Sequence, residues 1–167
     1  NEALQVISAT LLTSDKITIN NIPDIKDVMM LIELLKELGV KVEKNSKNSF
    51  SFSSNKINLS YLNSNIFFEK ASKIRGSIML VGPLLARFKV ASFPQPGGDK
   101  IGRRRIDTHL NGLKELGARF SYNNKNLSYK ISTKKLTGKY ILLDEASVTG
   151  TANVIMASVL AEGTTTI

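Results

Sequence analysis

The residues with the clearest chemical potential lie between Pro96 and Arg105, where three glycines and three arginines occur within ten positions. Glycine permits backbone conformations that other residues avoid, and an arginine can place two parallel N–H groups on a phosphate or a carboxylate. A segment of this kind suits the binding of an anion. Asp99 is unexpected there, because its carboxylate adds negative charge where an anion would bind.

The whole chain is basic as well, with 23 Lys and Arg against 14 Asp and Glu, or +9 with its single histidine neutral. Such an excess points to nucleic acid, an anionic membrane or small phosphorylated substrates, and composition does not choose among them. Most lysines are scattered among Asn, Ile and Ser, as over residues 41–58, which is typical of a solvated surface. The clustered arginines are the exception.

Several kinds of chemistry are excluded by composition. The 167 residues contain no cysteine, so there is no disulfide, thiolate metal site or cysteine nucleophile. Asp, Glu and His show no metal-ligand spacing, and we expect neither a metal nor a cofactor. The apolar run at residues 78–86 is shorter than the ~20 residues of a membrane span, and no signal peptide is present, so we expect a cytoplasmic chain without a membrane partner.

Internal repetition indicates how the chemical residues are positioned. Residues 31–42 return as residues 109–120, both with the pattern Leu-Lys-Glu-Leu-Gly, at an offset of 78. Residues 9–19 resemble residues 157–167 at an offset of 148, which is two periods of about 74. The chain therefore contains two units and the beginning of a third. The predicted units are residues 1–62, 63–143 and 144–167.

Each unit is predicted to run helix, strand, helix, strand, strand. Asp24 is expected to cap the helix that follows it, and Gly39 and Gly117 are expected to end helices in the left-handed conformation. We predict helices at residues 1–13, 25–38, 66–74, 76–88, 107–116 and 151–161, and strands at residues 16–20, 40–43, 50–53, 56–62, 89–93, 118–122, 127–131 and 139–143.

The alternation of helices and strands predicts an α/β fold. A helix that joins two strands of one sheet must cross a face of that sheet, so we expect small outer sheets and one apolar helix of each unit packed centrally. Residues 76–86 and 151–161 are nearly apolar on all sides and are the candidates for the buried helices.

A set of motifs runs the length of the chain in a fixed order. It comprises residues 1–4, 21–24, 27–28, 75–78, 82–87, 96–105, 107 with 109–117, 147–148 and 161–165. Together these motifs resemble the enolpyruvyl transferases, in particular the branch that acts on a nucleotide sugar in peptidoglycan synthesis. Any one of them alone is a weak signal, and the specificity comes from their order and from their coverage of the chain.

The resemblance implies an activity and an architecture. The enolpyruvyl group of phosphoenolpyruvate would pass to the 3′-hydroxyl of UDP-N-acetylglucosamine by addition and elimination, with release of phosphate, as the first committed step of peptidoglycan synthesis. The implied fold has two domains, each of three repeated α/β units packed as an inside-out barrel. This chain would supply most of the first domain, its partner would be the missing second domain, and alone it would be inactive.

The same resemblance implies a site. Asp99 stands where the family has its general acid, usually a cysteine and in some members an aspartate, and would protonate the methylene carbon of phosphoenolpyruvate. Its pKa would have to rise above the free value near 3.9, which closure and bound substrate favour. The absent thiol implies insensitivity to fosfomycin. The implied substrate-binding residues are Asn1, Arg75, Arg104, Arg105, Ile106, Asp107, Thr108, Glu145, Ala146, Ser147 and Val148.

Four alternatives stay open at this point. The family usually has Pro at the position of Arg105 and often Lys at that of Glu145, so those side chains are the least secure. Asp107 could cap the following helix, and His109 is read as a structural helix residue.

The sister enzyme that acts on shikimate 3-phosphate shares the fold, although its Gly-Thr plus Arg signature is absent here. A basic nucleic-acid-binding module is permitted by the charge, but no aromatic residues interleave with the arginines.

Overall fold

The computed structural model describes residues 2–95 and 106–167, and these contain six α-helices and two three-stranded sheets. The helices are α1 (Glu2–Ala9), α2 (Lys26–Glu37), α3 (Asn65–Ala71), α4 (Val81–Phe88), α5 (Asp107–Glu115) and α6 (Val148–Ser158). The strands are β1 (Lys16–Ile19), β2 (Lys41–Ser46), β3 (Ser49–Ser53), β4 (Val90–Pro94), β5 (Arg119–Asn123) and β6 (Ser128–Ser132). Short 3₁₀ helices lie at Thr10–Leu12, Leu59–Asn63 and Arg75–Leu80.

Both sheets have the same topology. The strand orders are β1-β3-β2 and β4-β6-β5, with the central strand antiparallel to both neighbours. The outer strands of each sheet are therefore parallel to each other, and the helix between them crosses a face of the sheet, as the sequence predicts. The order helix, strand, helix, strand, strand is confirmed in both units.

The inner faces of the two sheets contribute large side chains to one core. Phe52 of the first sheet pairs with Ile17 and Val42, and it is fully buried. Ile131 occupies the corresponding place in the second sheet, and Phe93 is buried beside it on β4. Burial of each such side chain stabilises the fold by roughly 1.5–3 kcal/mol.

Helix α6 packs against both α4 and α1. Every residue of α4 from Val81 to Ala86 is buried, as predicted. Helix α6 differs from the prediction of a helix buried on all sides, because Ile155 on it and Val159 directly after it are exposed. The helices approach closely at Gly82, where a Cβ would lie 2.4 Å from the Asn153 carbonyl oxygen.

Helices α2 and α5 end in the same way. Gly39 and Gly117 both have φ of +103°, and their N–H groups donate to the carbonyl oxygens of Lys36 and Lys114 at 3.0 and 2.9 Å. A residue with a side chain rarely adopts that φ. The prediction that these glycines end helices is confirmed at both positions.

The side chain of Arg87 links α4 to the first unit through hydrogen bonds. The Nη1 atom of Arg87 lies 3.1, 2.9 and 2.8 Å from the carbonyl oxygens of Leu11, Thr13 and Ser54. These carbonyls come from the segment before β1 and the segment after β3. Because Lys16 pairs with Ser53, both segments lie at the same end of the first sheet. Arg87 therefore satisfies backbone acceptors at that one end from a half-buried position on α4.

Three local predictions are wrong. Residues 56–62 do not form a strand, because the Asn58 side chain accepts the N–H of Ser60 at 3.2 Å and starts a 3₁₀ helix. Residues 139–143 form no strand either, only an isolated parallel bridge between Tyr140 and Thr166. Asp24 does not cap α2, whose N-cap residue is Ile25 without a side-chain hydrogen bond.

The helix predicted over residues 76–88 divides at Leu80. Residues 75–80 form the 3₁₀ helix, and α4 begins only at Val81. Pro83 explains the division, because its ring clashes with the preceding turn of an α-helix unless it lies in the first turn. Among the described residues, no helix has the length and apolar content required to cross a membrane.

The two glycines that end α2 and α5 make a matched pair for a stability test. Gly117→Ala should lower the free energy of unfolding by about 1–2 kcal/mol, the cost of left-handed backbone for a residue with a Cβ. Gly39→Ala should cost more, because its Cβ would lie 2.4 Å from the carbonyl oxygen of Lys56, against 3.1 Å from that of Lys135 at Gly117. Urea denaturation measures both, and equal losses would contradict the packing difference.

Candidate functional site

The beginnings of α5 and α6 lie side by side. The Thr108 hydroxyl donates a hydrogen bond to Oδ1 of Asp144 at 2.8 Å. Next to it, a Cβ on Gly150 would lie only 3.0 Å from Cγ2 of Thr108, so the glycine allows the two segments to touch. This contact brings together two predicted binding segments, residues 106–108 and 145–148, that are separate in the sequence.

The beginning of α6 is exposed and carries its own cap. Ser147 is the N-cap residue, and its Oγ accepts the N–H of Gly150 at 3.1 Å. Glu145, Ala146 and Val148 are exposed around it. A helix start of this kind presents unpaired N–H groups and a partial positive charge, which suit a phosphate group.

The beginning of α5 contradicts the interpretation of Asp107 as a helix cap. Asp107 is the first residue inside the helix, whereas Ile106 is the N-cap residue and makes no side-chain hydrogen bond. The reading of Asp107 as the cap of α5 is therefore wrong. Its half-buried carboxylate in the first turn is stabilised by the partial positive charge of the helix start.

Arg75 begins the 3₁₀ helix that precedes α4 and is half-buried. Its charge is close enough to His109 to affect the protonation of the imidazole. The next residue, Gly76, packs against α1, because a Cβ there would lie 2.8 Å from Cδ1 of Leu4. The segment that carries Arg75 therefore lies between the first turn of α1 and the beginning of α5.

Asn153 is the polar residue at the centre of this arrangement, and it is fully buried. Its Oδ1 accepts the N–H of Gly82 at 2.6 Å. Its Nδ2 lies 2.9 Å from the Ile78 carbonyl oxygen and 3.0 Å from Nδ1 of His109. The amide nitrogen has two N–H groups, and these two partners use both of them.

The partners of Asn153 determine the protonation of His109, which is 3% exposed. Because the Asn153 amide donates to Nδ1, the imidazole accepts there and carries its proton on Nε2. Nε2 lies 3.3 Å from Oγ1 of Thr149 and donates to it. A ring that accepts on one nitrogen and donates from the other is neutral.

The electrostatic surroundings agree with a neutral ring. Burial is the larger cause and the positive charge of Arg75 the smaller, and together they lower the pKa of His109 to about 4. The His109 imidazole is therefore uncharged near pH 7. This favours a structural role for the residue over a role in proton transfer.

Sequence reasoning did not identify Asn153 or Thr149. The available signal was the single amide within the otherwise apolar residues 151–161, since a polar side chain on a buried helix requires partners. Four predicted site residues lie outside the described part of the chain: Asn1, Asp99, Arg104 and Arg105. Within residues 2–95 and 106–167, no group of His, Asp and Glu is arranged to hold a metal ion.

A separate cleft lies between α3 and the turn that joins β5 to β6. It has a volume of about 430 Å³ and is lined by residues that include Phe68, Gln95 and Leu127. None of the predicted site residues within 2–95 and 106–167 lines it.

The buried imidazole predicts a specific dependence of stability on pH. The folded chain binds the His109 proton with a pKa of about 4, against 6.5 for the ordinary group. Between these two pKa values the unfolded state binds the proton and the folded state does not. The free energy of unfolding is therefore highest above pH 6.5 and decreases, by up to about 3 kcal/mol, as the pH falls towards 4.

His109→Asn retains an acceptor near the position of Nδ1 and removes the titrating ring. Its free energy of unfolding should depend less on pH between 6.5 and 4.5 than that of the unaltered chain. Chemical denaturation at a series of pH values measures the difference. Parallel curves in that range would show that the imidazole is not held neutral.

Comparison with known proteins assigns the fold and the family. A protein-family model described as EPSP synthase (3-phosphoshikimate 1-carboxyvinyltransferase) matches residues 1–167. Among solved structures, the enolpyruvyl transferase NikO from Streptomyces tendae matches with a TM-score of 0.76 at 17% identity, over 97% of this chain and 37% of that chain. An EPSP synthase from Acinetobacter baumannii matches with a TM-score of 0.67 at 13% identity, over 98% and 37%. The fold is the α/β fold of enolpyruvyl transferases.

Curated relatives match at higher identity. Proteins named UDP-N-acetylglucosamine 1-carboxyvinyltransferase are 56% identical in Bacteroides thetaiotaomicron, 55% in Porphyromonas gingivalis and 47% in Treponema denticola, each over the whole of this chain. The chain spans 38% of the length of each of these relatives. On the match of the family model to all 167 residues, the chain belongs to the EPSP synthase family of enolpyruvyl transferases.

Proposed function

We propose that this chain is part of an enzyme that transfers the enolpyruvyl group of phosphoenolpyruvate to the 3′-hydroxyl of UDP-N-acetylglucosamine. The observation that carries the proposal is the 55–56% identity, over all 167 residues, with three proteins named UDP-N-acetylglucosamine 1-carboxyvinyltransferase. The solved structures at 13–17% identity support the fold alone and do not choose the acceptor substrate.

The geometry of the described residues suits a nucleotide sugar. The exposed beginning of α6, with Ser147 as its cap, lies beside the beginning of α5, which carries Asp107 and Thr108. Backbone N–H groups at such a helix start can bind a diphosphate. We assign the nucleotide-sugar contacts to residues 104–108 and 145–148, and we assign Asn1 and Arg75 to contacts with phosphoenolpyruvate and the sugar.

Asp99 is proposed as the general acid. The 3′-hydroxyl oxygen of the sugar attacks C2 of phosphoenolpyruvate and releases its own proton to a base. Asp99 gives its proton to the C3 methylene group, which completes a tetrahedral adduct. Loss of a proton from C3 and of the phosphate from C2 then restores the double bond in the product. Asp99 must be protonated to act, and the negative charge of bound phosphoenolpyruvate and the exclusion of water raise its pKa, whereas the neighbouring arginines lower it.

The chain alone is proposed to be incomplete. Residues 1–62 and 63–143 would form two repeated units and residues 144–167 part of a third, together most of a first domain. A second domain of the same protein would supply the opposing side of the site, so the isolated 167 residues should be inactive. The complete enzyme would act in the cytoplasm, without a cofactor, in peptidoglycan synthesis and hence in cell wall biogenesis, cell shape and cell division.

Substrate use by the complete protein tests the proposal. With phosphoenolpyruvate, UDP-N-acetylglucosamine should release phosphate, and shikimate 3-phosphate should not. Asp99→Asn removes the proton donor without a large change in shape, and should reduce kcat by about 10²–10⁴-fold, the usual contribution of general acid catalysis.

A binding measurement distinguishes a variant that has lost catalysis from one that has failed to fold. Asp99→Asn should still bind UDP-N-acetylglucosamine in a calorimetric titration. Turnover of shikimate 3-phosphate would favour the sister activity. Salt-dependent binding to nucleic acid without turnover of either acceptor substrate would favour a nucleic-acid-binding module. Full activity of Asp99→Asn would remove Asp99 from the mechanism.

The carboxylate at position 99 also predicts the response to fosfomycin. A carboxylate is a poorer nucleophile than a thiolate towards an epoxide, so the complete enzyme should keep its activity during incubation with the inhibitor. Asp99→Cys should introduce time-dependent inactivation, with a covalent adduct found by mass spectrometry. The chain has no other cysteine, so an adduct in this region identifies its site. An adduct on Asp99 itself would contradict the prediction.

A further inference from the structure

We propose that His109 is a positioning residue for the nucleotide-sugar half of the site, acting through its Nε2–H···Oγ1 bond to Thr149. The inference rests on the function proposed above and deepens it. It concerns a residue that is not among the predicted binding positions, and it states which of the two substrates depends on that residue.

The imidazole joins two segments that are proposed to contact the same substrate. His109 follows Asp107 and Thr108 directly on α5, and its acceptor Thr149 follows Val148 directly on α6. A hydrogen bond between His109 and Thr149 therefore fixes the distance between the beginnings of the two helices. Neither side chain needs to touch the substrate to do so.

The other side of the ring is anchored in the core. Nδ1 accepts from Asn153, whose Oδ1 in turn accepts the N–H of Gly82 on the buried helix α4. All three residues are buried: His109 is 3% exposed, Asn153 is 0% exposed, and Gly82 lies in the buried part of α4. The imidazole is thus held from the core side, and its Nε2–H direction is fixed towards Thr149.

A second bond joins the same two segments, between Thr108 and Asp144. Asp144 is exposed, so water competes for its carboxylate and this bond contributes less than a buried one. The His109 bond leaves a buried donor without a partner when it is broken. We therefore assign the larger positioning effect to His109 and Thr149.

Kinetics of the complete enzyme test the inference with two variants that break the same bond from opposite sides. Thr149→Val keeps the shape and removes the acceptor, and His109→Asn keeps an acceptor for Asn153 and removes the Nε2–H donor. Each should raise the KM for UDP-N-acetylglucosamine about tenfold and leave the KM for phosphoenolpyruvate within about twofold, because one partly buried hydrogen bond is lost. Thr149→Ser, which keeps the hydroxyl, should restore the low KM.

A double-variant cycle and a matched control complete the experiment. The double variant should be no worse than either single variant, because both remove one bond. Thr10→Val removes a buried hydroxyl that bonds the Ile7 carbonyl oxygen at 2.7 Å within the first unit, and should leave both KM values unchanged.

Two failures can be told apart. If the unaltered enzyme does not bind UDP-N-acetylglucosamine in a calorimetric titration, the proposed function fails and this inference with it. If it binds normally, the inference alone is overturned by equal changes in both KM values, by additive effects in the double variant, or by the same change in Thr10→Val. Should His109→Asn fail to fold, Thr149→Val and Thr149→Ser decide the outcome.

Discussion

The close approach of α4 and α6 is the constraint on which the rest of the structure depends. A helix in the middle of a core has no water for its polar groups, so a buried amide such as that of Asn153 must find protein partners. It finds them in the N–H of Gly82, the carbonyl of Ile78 and the ring of His109. One side chain thereby joins the central helices, the segment that carries Arg75, and α5.

Much of the fold could be predicted from the sequence because it depends on local rules that occur twice. Gly39 and Gly117 end helices because glycine alone readily adopts the positive φ that each position has, and this property depends on a single residue. The errors at Asp24 and Asn58 are also local. Several polar residues compete to begin a helix or a turn, and their order of preference depends on packing that the sequence does not display.

The candidate site was less accessible to such reasoning. Arg75, Thr108 and Ser147 come together only through contacts between distant helices, and the bond between Thr108 and Asp144 has no sequence signature of its own. The tautomer of His109 depends on the orientation of an amide 44 residues away, which is fixed in turn by the backbone of a third helix. Resemblance to a family supplied the site positions, and the structure supplied the reason that some of them adjoin.

The contact between Gly82 and Asn153 also bears on how the chain can change in evolution. One residue inserted into α4 or α6 would turn the following side chains by about 100° and separate the two partners. Pro83 prevents α4 from compensating by an earlier start. Insertions and deletions should be tolerated better in the hairpin turns of the two sheets, where residues 47–48 and 124–127 are exposed.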